Sequence, residues 1–137
     1  MNLYLDDKRV PSMSNSEGRG LGAAYGAKDK WVIVRDYFEF VDFVEKNFDD
    51  LDIVSFDHDL ACFREGKEYT GKDAVNYLIN YCLDHNKKFP NWFVHSDNTA
   101  GKNNIIGAVI NYLNKVEGVD TSKFRYHHSG IINGLAV

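Results

Sequence analysis

Three short apolar runs in this chain each end in residues that can move protons or hold ions. Leu3-Tyr4-Leu5 leads into Asp6-Asp7, Ile53-Val54-Ser55-Phe56 into Asp57-His58-Asp59, and Trp92-Phe93-Val94 into His95-Ser96-Asp97-Asn98. If these runs are strands of one open α/β sheet, their carboxyl ends lie where such sheets bind ligands. Four carboxylates, Asp6, Asp7, Asp57 and Asp59, and two imidazoles, His58 and His95, would then meet at one edge.

The residue types suit phosphate chemistry. Adjacent carboxylates such as Asp6 and Asp7 repel unless a cation, a proton or a helix end accommodates them. With Asp57 and Asp59 they form a candidate Mg²⁺ set, since that ion takes carboxylate oxygens and water. A solvated turn in which an aspartate caps a short helix explains Asp6-Asp7 equally well. A histidine flanked by aspartates, as His58 is, has its charged form favoured, which suits a general acid near neutral pH. His58 and His95 on adjacent strand ends are candidates for paired acid–base work on a phosphodiester, with Asp57 beside them as a third catalytic candidate. A carboxylate-held metal that activates water is the other route, and the residues leave both open. Ser96 and Asn98 bring polar groups for phosphate oxygens. Lys102 adds a cation near the start of a helix, where unpaired N–H groups attract anions. Arg9 and Arg35 are candidate anion clamps. His127-His128 closes the last expected strand and is a further candidate, whereas His85 falls at a helix C-terminus and has no catalytic part.

The rest of the composition bounds the class. With 137 residues, 44% hydrophobic and 14% aromatic, residues 1–137 fit one domain able to bury a core without disulfides or a structural metal. A formal net charge of −4 argues against an extended nucleic-acid groove, though not against a locally bound anion or an RNA end. Cys62 and Cys82 lack close-spaced partners, so neither a zinc site nor a disulfide framework is expected, and a reducing cytoplasm is the default compartment. No run of about 18 apolar residues marks a membrane span, and the first residues do not read as a signal peptide.

Strands are expected at Asn2–Leu5, Trp31–Val34, Asp52–Phe56, Asn91–Val94 and Lys123–His127. Residues 7–30 form a long polar connection whose glycine-rich stretch, Gly18 to Gly26, reads as a surface loop or as a lid over the strand ends. It does not read as a dinucleotide fingerprint, because no apolar strand leads into the glycines. Asp36 and Glu39 form a capping pair before Tyr37, Phe40, Val41, Val44 and Phe48 at helical spacing. Leu60 to Tyr69 reads as a loop. Thr70, with Asp73 three residues on, caps a helix whose buried stripe is Ala74, Tyr77, Leu78, Tyr81 and Cys82. A third helix spans about Asn103 to Lys115. This alternation implies a parallel sheet with helices on both faces. With few residues after His128, the terminal helix should be shortened.

The ordered motifs Leu5-Asp6-Asp7-Lys8-Arg9, Asp57-His58-Asp59 and His95-Ser96-Asp97-Asn98 resemble the receiver domains of response regulators, and most closely their diverged cyclic-phosphate-processing branch. The resemblance implies a flavodoxin-like, five-stranded sheet of order 2-1-3-4-5, which sets all three motifs side by side. It places the acidic pair on Asp6 and Asp7, the phosphoacceptor position on Asp57 and the hydroxyl position on Ser96. Ordinary receivers carry Lys-Pro where this chain has His127-His128, and His58 and His95 match the diverged branch alone. The implied function is phosphoesterase-type processing of a cyclic phosphate, on an RNA end or a cyclic nucleotide, with Mg²⁺ as the candidate cofactor. The alternative is a non-catalytic receiver-like module that binds a cyclic nucleotide or a phosphodonor.

Overall fold

The computed structural model describes residues 1–10, 31–123, 125–127 and 130–132. Four strands form a parallel sheet: β1 (Asn2–Leu5), β2 (Trp31–Val34), β3 (Ile53–Phe56) and β6 (Asn91–Val94), in the order β2-β1-β3-β6. This is the expected order for the first four parallel strands. The strands are in strict register. Leu3 lies opposite Val32 and Val54, Val54 opposite Trp92, and Leu5 opposite Val34 and Phe56. Because side chains alternate along a strand, each row across the sheet points to one face.

The rows of Leu3, Val54 and Trp92 and of Leu5, Val34, Phe56 and Val94 face the main core. Against them pack α1 (Tyr37–Asn47) through Phe40 and Val44, α2 (Gly71–His85) through Ala74, Val75, Leu78 and Cys82, and α3 (Thr99–Lys115) through Ile105, Ile106, Val109 and Leu113. Cys82 is a packing residue, its thiol pushed up to about 12 by burial. Tyr4 and Phe93 face the other way, fully buried, with Trp31 and Ile33 against them. Among the described residues the helices thus share one core on one face. The expected cover of the other face falls outside them, as do the glycine-rich stretch, His128 and the terminal helix.

The caps follow the sequence. The Asp36 side chain accepts from the Glu39 amide at the start of α1, and Thr70 and Asp73 form a reciprocal capping box at α2. Three expectations are corrected. Residues 60–69 contain a hairpin of β4 (Cys62–Arg64) and β5 (Lys67–Tyr69), turned by Glu65 and Gly66, both at positive φ. Its pattern is too short to register as alternation, and aromatic contacts of Tyr69 with Tyr37 and Phe38 hold it on α1. Next, α3 begins at Thr99, not Asn103, because the Asn98 side chain caps it, and its first turn carries no large apolar residue to signal a helix. Last, the segment expected as a fifth parallel strand is β7 (Arg125–His127), paired antiparallel with β8 (Gly130–Ile132), and β8 lies beside β6. No described helix is long and apolar enough to cross a membrane.

Two glycines test the packing. A Cβ on Gly71, at the start of α2, would lie 1.8 Å from the Asp57 carbonyl oxygen, whereas one on Gly107 in α3 meets nothing within 4 Å. Gly71→Ala should therefore cost more than about 2 kcal/mol. Gly107→Ala should gain roughly 0.5–1 kcal/mol from helix propensity. Urea unfolding midpoints read both, and equal midpoints would contradict this account.

Candidate active site

The register carries the ladder one residue past the strands. The Asp6 amide donates to the Val34 carbonyl, that of Asp57 to Leu5, and that of His95 to Phe56. Asp6, Asp57 and His95 therefore stand side by side in the next row, on the face of Tyr4 and Ser55. All three are buried, and each offers a ligand atom within 4.8 Å of the others.

Asp6 is the most constrained of them. One carboxylate oxygen, Oδ1, accepts from the backbone amides of Lys8 at 2.9 Å and Arg9 at 2.8 Å. The other, Oδ2, meets Arg9 Nε at 3.0 Å and His95 Nε2 at 3.0 Å. Burial by itself would raise its pKa, but the His95 bond and the two amides outweigh that and hold it below the ordinary carboxylate range.

His95 is stacked on the Tyr4 ring at 4.2 Å, and its Nδ1 lies 2.6 Å from Ser55 Oγ. Burial pushes its pKa down against the pull of Asp6. A neutral ring that donates through Nε2 to Asp6 and accepts from the Ser55 hydroxyl satisfies every contact. Both ring nitrogens are thus committed, to Ser55 and to Asp6. Of the two imidazoles expected to face one phosphodiester, His95 is the buried one, at the edge of the sheet.

His58 lies elsewhere. Its Nδ1 meets Asp59 Oδ1 at 2.8 Å, and its ring lies against Gly101 so closely that a Cβ there would fall 2.3 Å from Cγ. That bond, opposed by some burial, lowers the Asp59 pKa. The Asn98 amide also donates to Asp59, at 3.2 and 3.3 Å, so Asn98 joins the β3 and β6 loops as well as capping α3.

Asp57 is the group whose proton is poised. Burial first, then the neighbouring Asp6 charge, push its pKa up to about 6, against Arg9, the His58 amide and Ser96. Arg9 runs between the acids, with Nη1 on Asp97 at 3.1 Å and Nη2 3.7 Å from Asp57. Arg35 is no clamp on a ligand through its Nη1, which donates to the carbonyls of Asp6 at 3.1 Å and Arg9 at 2.8 Å and so fixes the loop that carries Arg9.

A cavity of about 410 Å³ opens over this cluster, lined by Asp6, Asp7, Arg9, Asp57, Asp59, Ser96 and Asn98 among others. Seven of the residues expected from the motifs thus surround one space. His58 and His95 do not line it. Neither does Lys102, half-buried in the first turn of α3, whose pKa burial lowers against the pull of Asp97. Among the described residues Asp6, Asp57 and His95 form the group whose ligand atoms lie close enough together for a metal, but Asp6 has a donor on every lone-pair direction and is poorly suited to one. Sequence reasoning missed Ser55, Tyr4, Gly71 and Gly101. The one available signal was Ser55, a hydroxyl inside an otherwise apolar strand.

The raised Asp57 pKa has a sign for stability. The folded chain holds that proton up to about pH 6, and the unfolded chain loses it near the ordinary value of 3.8. The stability it contributes is present below 3.8 and lost as pH rises through 6. Asp57→Asn should raise stability at pH 7 by roughly 1–3 kcal/mol and change it little near pH 3.5. Urea titrations at both pH values check this, and a neutral-pH loss would contradict it.

Residues 1–111 match the family described as the cyclic-phosphate processing receiver domain. No curated protein and no solved structure matches the chain. The matched span covers the whole parallel sheet and all three strand-end motifs, and on that ground the chain belongs to the cyclic-phosphate processing receiver domain family.

Proposed function

We propose that the cavity hydrolyses a cyclic phosphodiester, at an RNA end bearing a 2′,3′-cyclic phosphate or in a cyclic nucleotide, to a phosphomonoester. The observation that carries this reading is the placing of Asp57, a buried carboxyl that exchanges its proton near pH 6, beside the Arg9 guanidinium on the wall of one cavity. An anionic substrate needs the second, and proton transfer from water needs the first.

In this reading Arg9, Ser96 and Asn98, which line the cavity, hold the phosphate. Water attacks phosphorus and gives its proton to the Asp57 carboxylate. The ring P–O bond breaks, and the leaving oxygen takes a proton passed from His58 through the Asp59 carboxylate, which lines the cavity. The product is the substrate plus one water, with no change of oxidation state. His95 acts from behind by holding Asp6, which in turn orients Arg9.

The test is mass spectrometry of a short RNA ending in a 2′,3′-cyclic phosphate, and of a panel of cyclic nucleotides, after incubation with the protein. A gain of one water is expected. Asp57→Asn and His58→Ala should each lower kcat by about 100-fold or more, with the circular dichroism spectrum unchanged. Full turnover in both variants would sink the assignment. Retention of a cyclic nucleotide without turnover would instead mark a binding module.

A further inference from the structure

The acidic row contains a cation of its own. Arg9 bonds Asp6 through Nε and Asp97 through Nη1, and its Nη2 stands 3.7 Å from Asp57 and 3.5 Å from the His95 carbonyl oxygen. Its guanidinium therefore lies among three carboxylates contributed by the loops after β1, β3 and β6. A divalent ion that bridged the first and third of these strand ends would need the same place.

Three observations say that Arg9 keeps it. The Asp6 oxygens are already shared among the amides of Lys8 and Arg9, the Arg9 side chain and His95, so a metal there would have to displace a donor. The Arg9 carbonyl and the Asp6 carbonyl are both tied to Arg35 Nη1, so the backbone that carries the guanidinium is pinned to the end of β2. Finally, the Arg9 side chain is only 23% exposed, and the acids around it hold its charge more firmly than usual despite burial. A magnesium ion demands near-octahedral oxygen ligation and gives up its own water reluctantly, so it gains little beside a guanidinium already paired with the best carboxylate.

We propose that Arg9 is the resident cation of this site, taking the place between Asp6, Asp57 and Asp97 that a divalent ion would occupy, so that the cavity receives its anionic ligand without one. The inference concerns the same cavity as the proposed hydrolysis but stands whether or not turnover occurs. It also assigns Asp97, an exposed residue of the third motif, the part of outer anchor for Nη1.

The experiment is calorimetric titration of the full chain with MgCl₂ and with MnCl₂, for the wild type, Arg9→Ala and Arg9→Ala/Asp57→Asn. The wild type is expected to show no saturable binding up to millimolar metal. Arg9→Ala should gain a single site at least about ten-fold tighter, and the double variant should lose it. Saturable submillimolar binding by the wild type would overturn the inference. So would the absence of binding in both the wild type and the Arg9 variant, because the position would then be no cation site at all. Circular dichroism establishes that each variant is folded. Should Arg9→Ala unfold, Arg9→Gln replaces it, keeping a side-chain amide for Asp6 while removing the charge. A separate turnover assay with and without EDTA keeps the two readings apart. Absence of any turnover would count against hydrolysis and leave the titration to decide on Arg9.

Discussion

A carboxylate removed from water is stable only when its lone pairs are filled and its charge is answered, and Asp6 meets both demands with two backbone amides, an imidazole and a guanidinium. Much of the site follows from that one group. It turns the chain after β1 so that Arg9 folds back over the sheet edge. It holds His95 in one tautomer, with Ser55 on the ring's far side. It also supplies the negative field that, after burial, keeps Asp57 from ionising at the ordinary pH. One acid is held charged so that its neighbour holds its proton longer.

The second constraint is register. Parallel strands paired residue for residue place Asp6, Asp57 and His95 in one row, as the next rung of a ladder whose earlier rungs are apolar. A slip of one residue in any strand would turn its motif to the helix side, into the packing of Phe40, Leu78 and Ile105. The apolar rows thus secure the chemistry indirectly, since the burial of Leu3, Val54 and Trp92 selects the register that aligns the acids. The loops complete the arrangement through close backbone approach. Gly71 admits the Asp57 carbonyl, and Gly101 admits the His58 ring, at distances no other residue allows.

Such a site taxes the fold that carries it. Asp57 lowers stability at neutral pH, while Asp6, held ionised below its usual range, contributes stability above 3.8 that is lost only in strong acid. Neighbouring titratable groups whose settings push their pKa values apart are frequent at functional sites, where burial and close charges meet. Arg9 and Arg35 offset part of the tension by joining the three strand-end loops and the end of β2 into one hydrogen-bonded unit.

The family resemblance implied the parallel order through the fourth strand, while the sequence by itself determined the four strands of that sheet, the caps of α1 and α2, and seven polar residues that line one cavity. Each of these depends on local pattern: short apolar runs, polar residues at their ends, and Thr70 or Asp36 ahead of helical spacing. The start of α3 and the β4–β5 hairpin escaped because their signals are a single cap and a two-residue turn. What each motif residue touches was decided by tertiary structure alone. His58 and His95 look equivalent in a list of strand ends, yet one is clamped beside Asp59 and Gly101, while the other is buried between Tyr4, Ser55 and Asp6. Arg9 reads as a surface charge or a phosphate clamp until the fold sets three aspartates around it. Burial, neighbouring charge and the filling of lone pairs are properties of the assembled row, and no stretch of chain contains them.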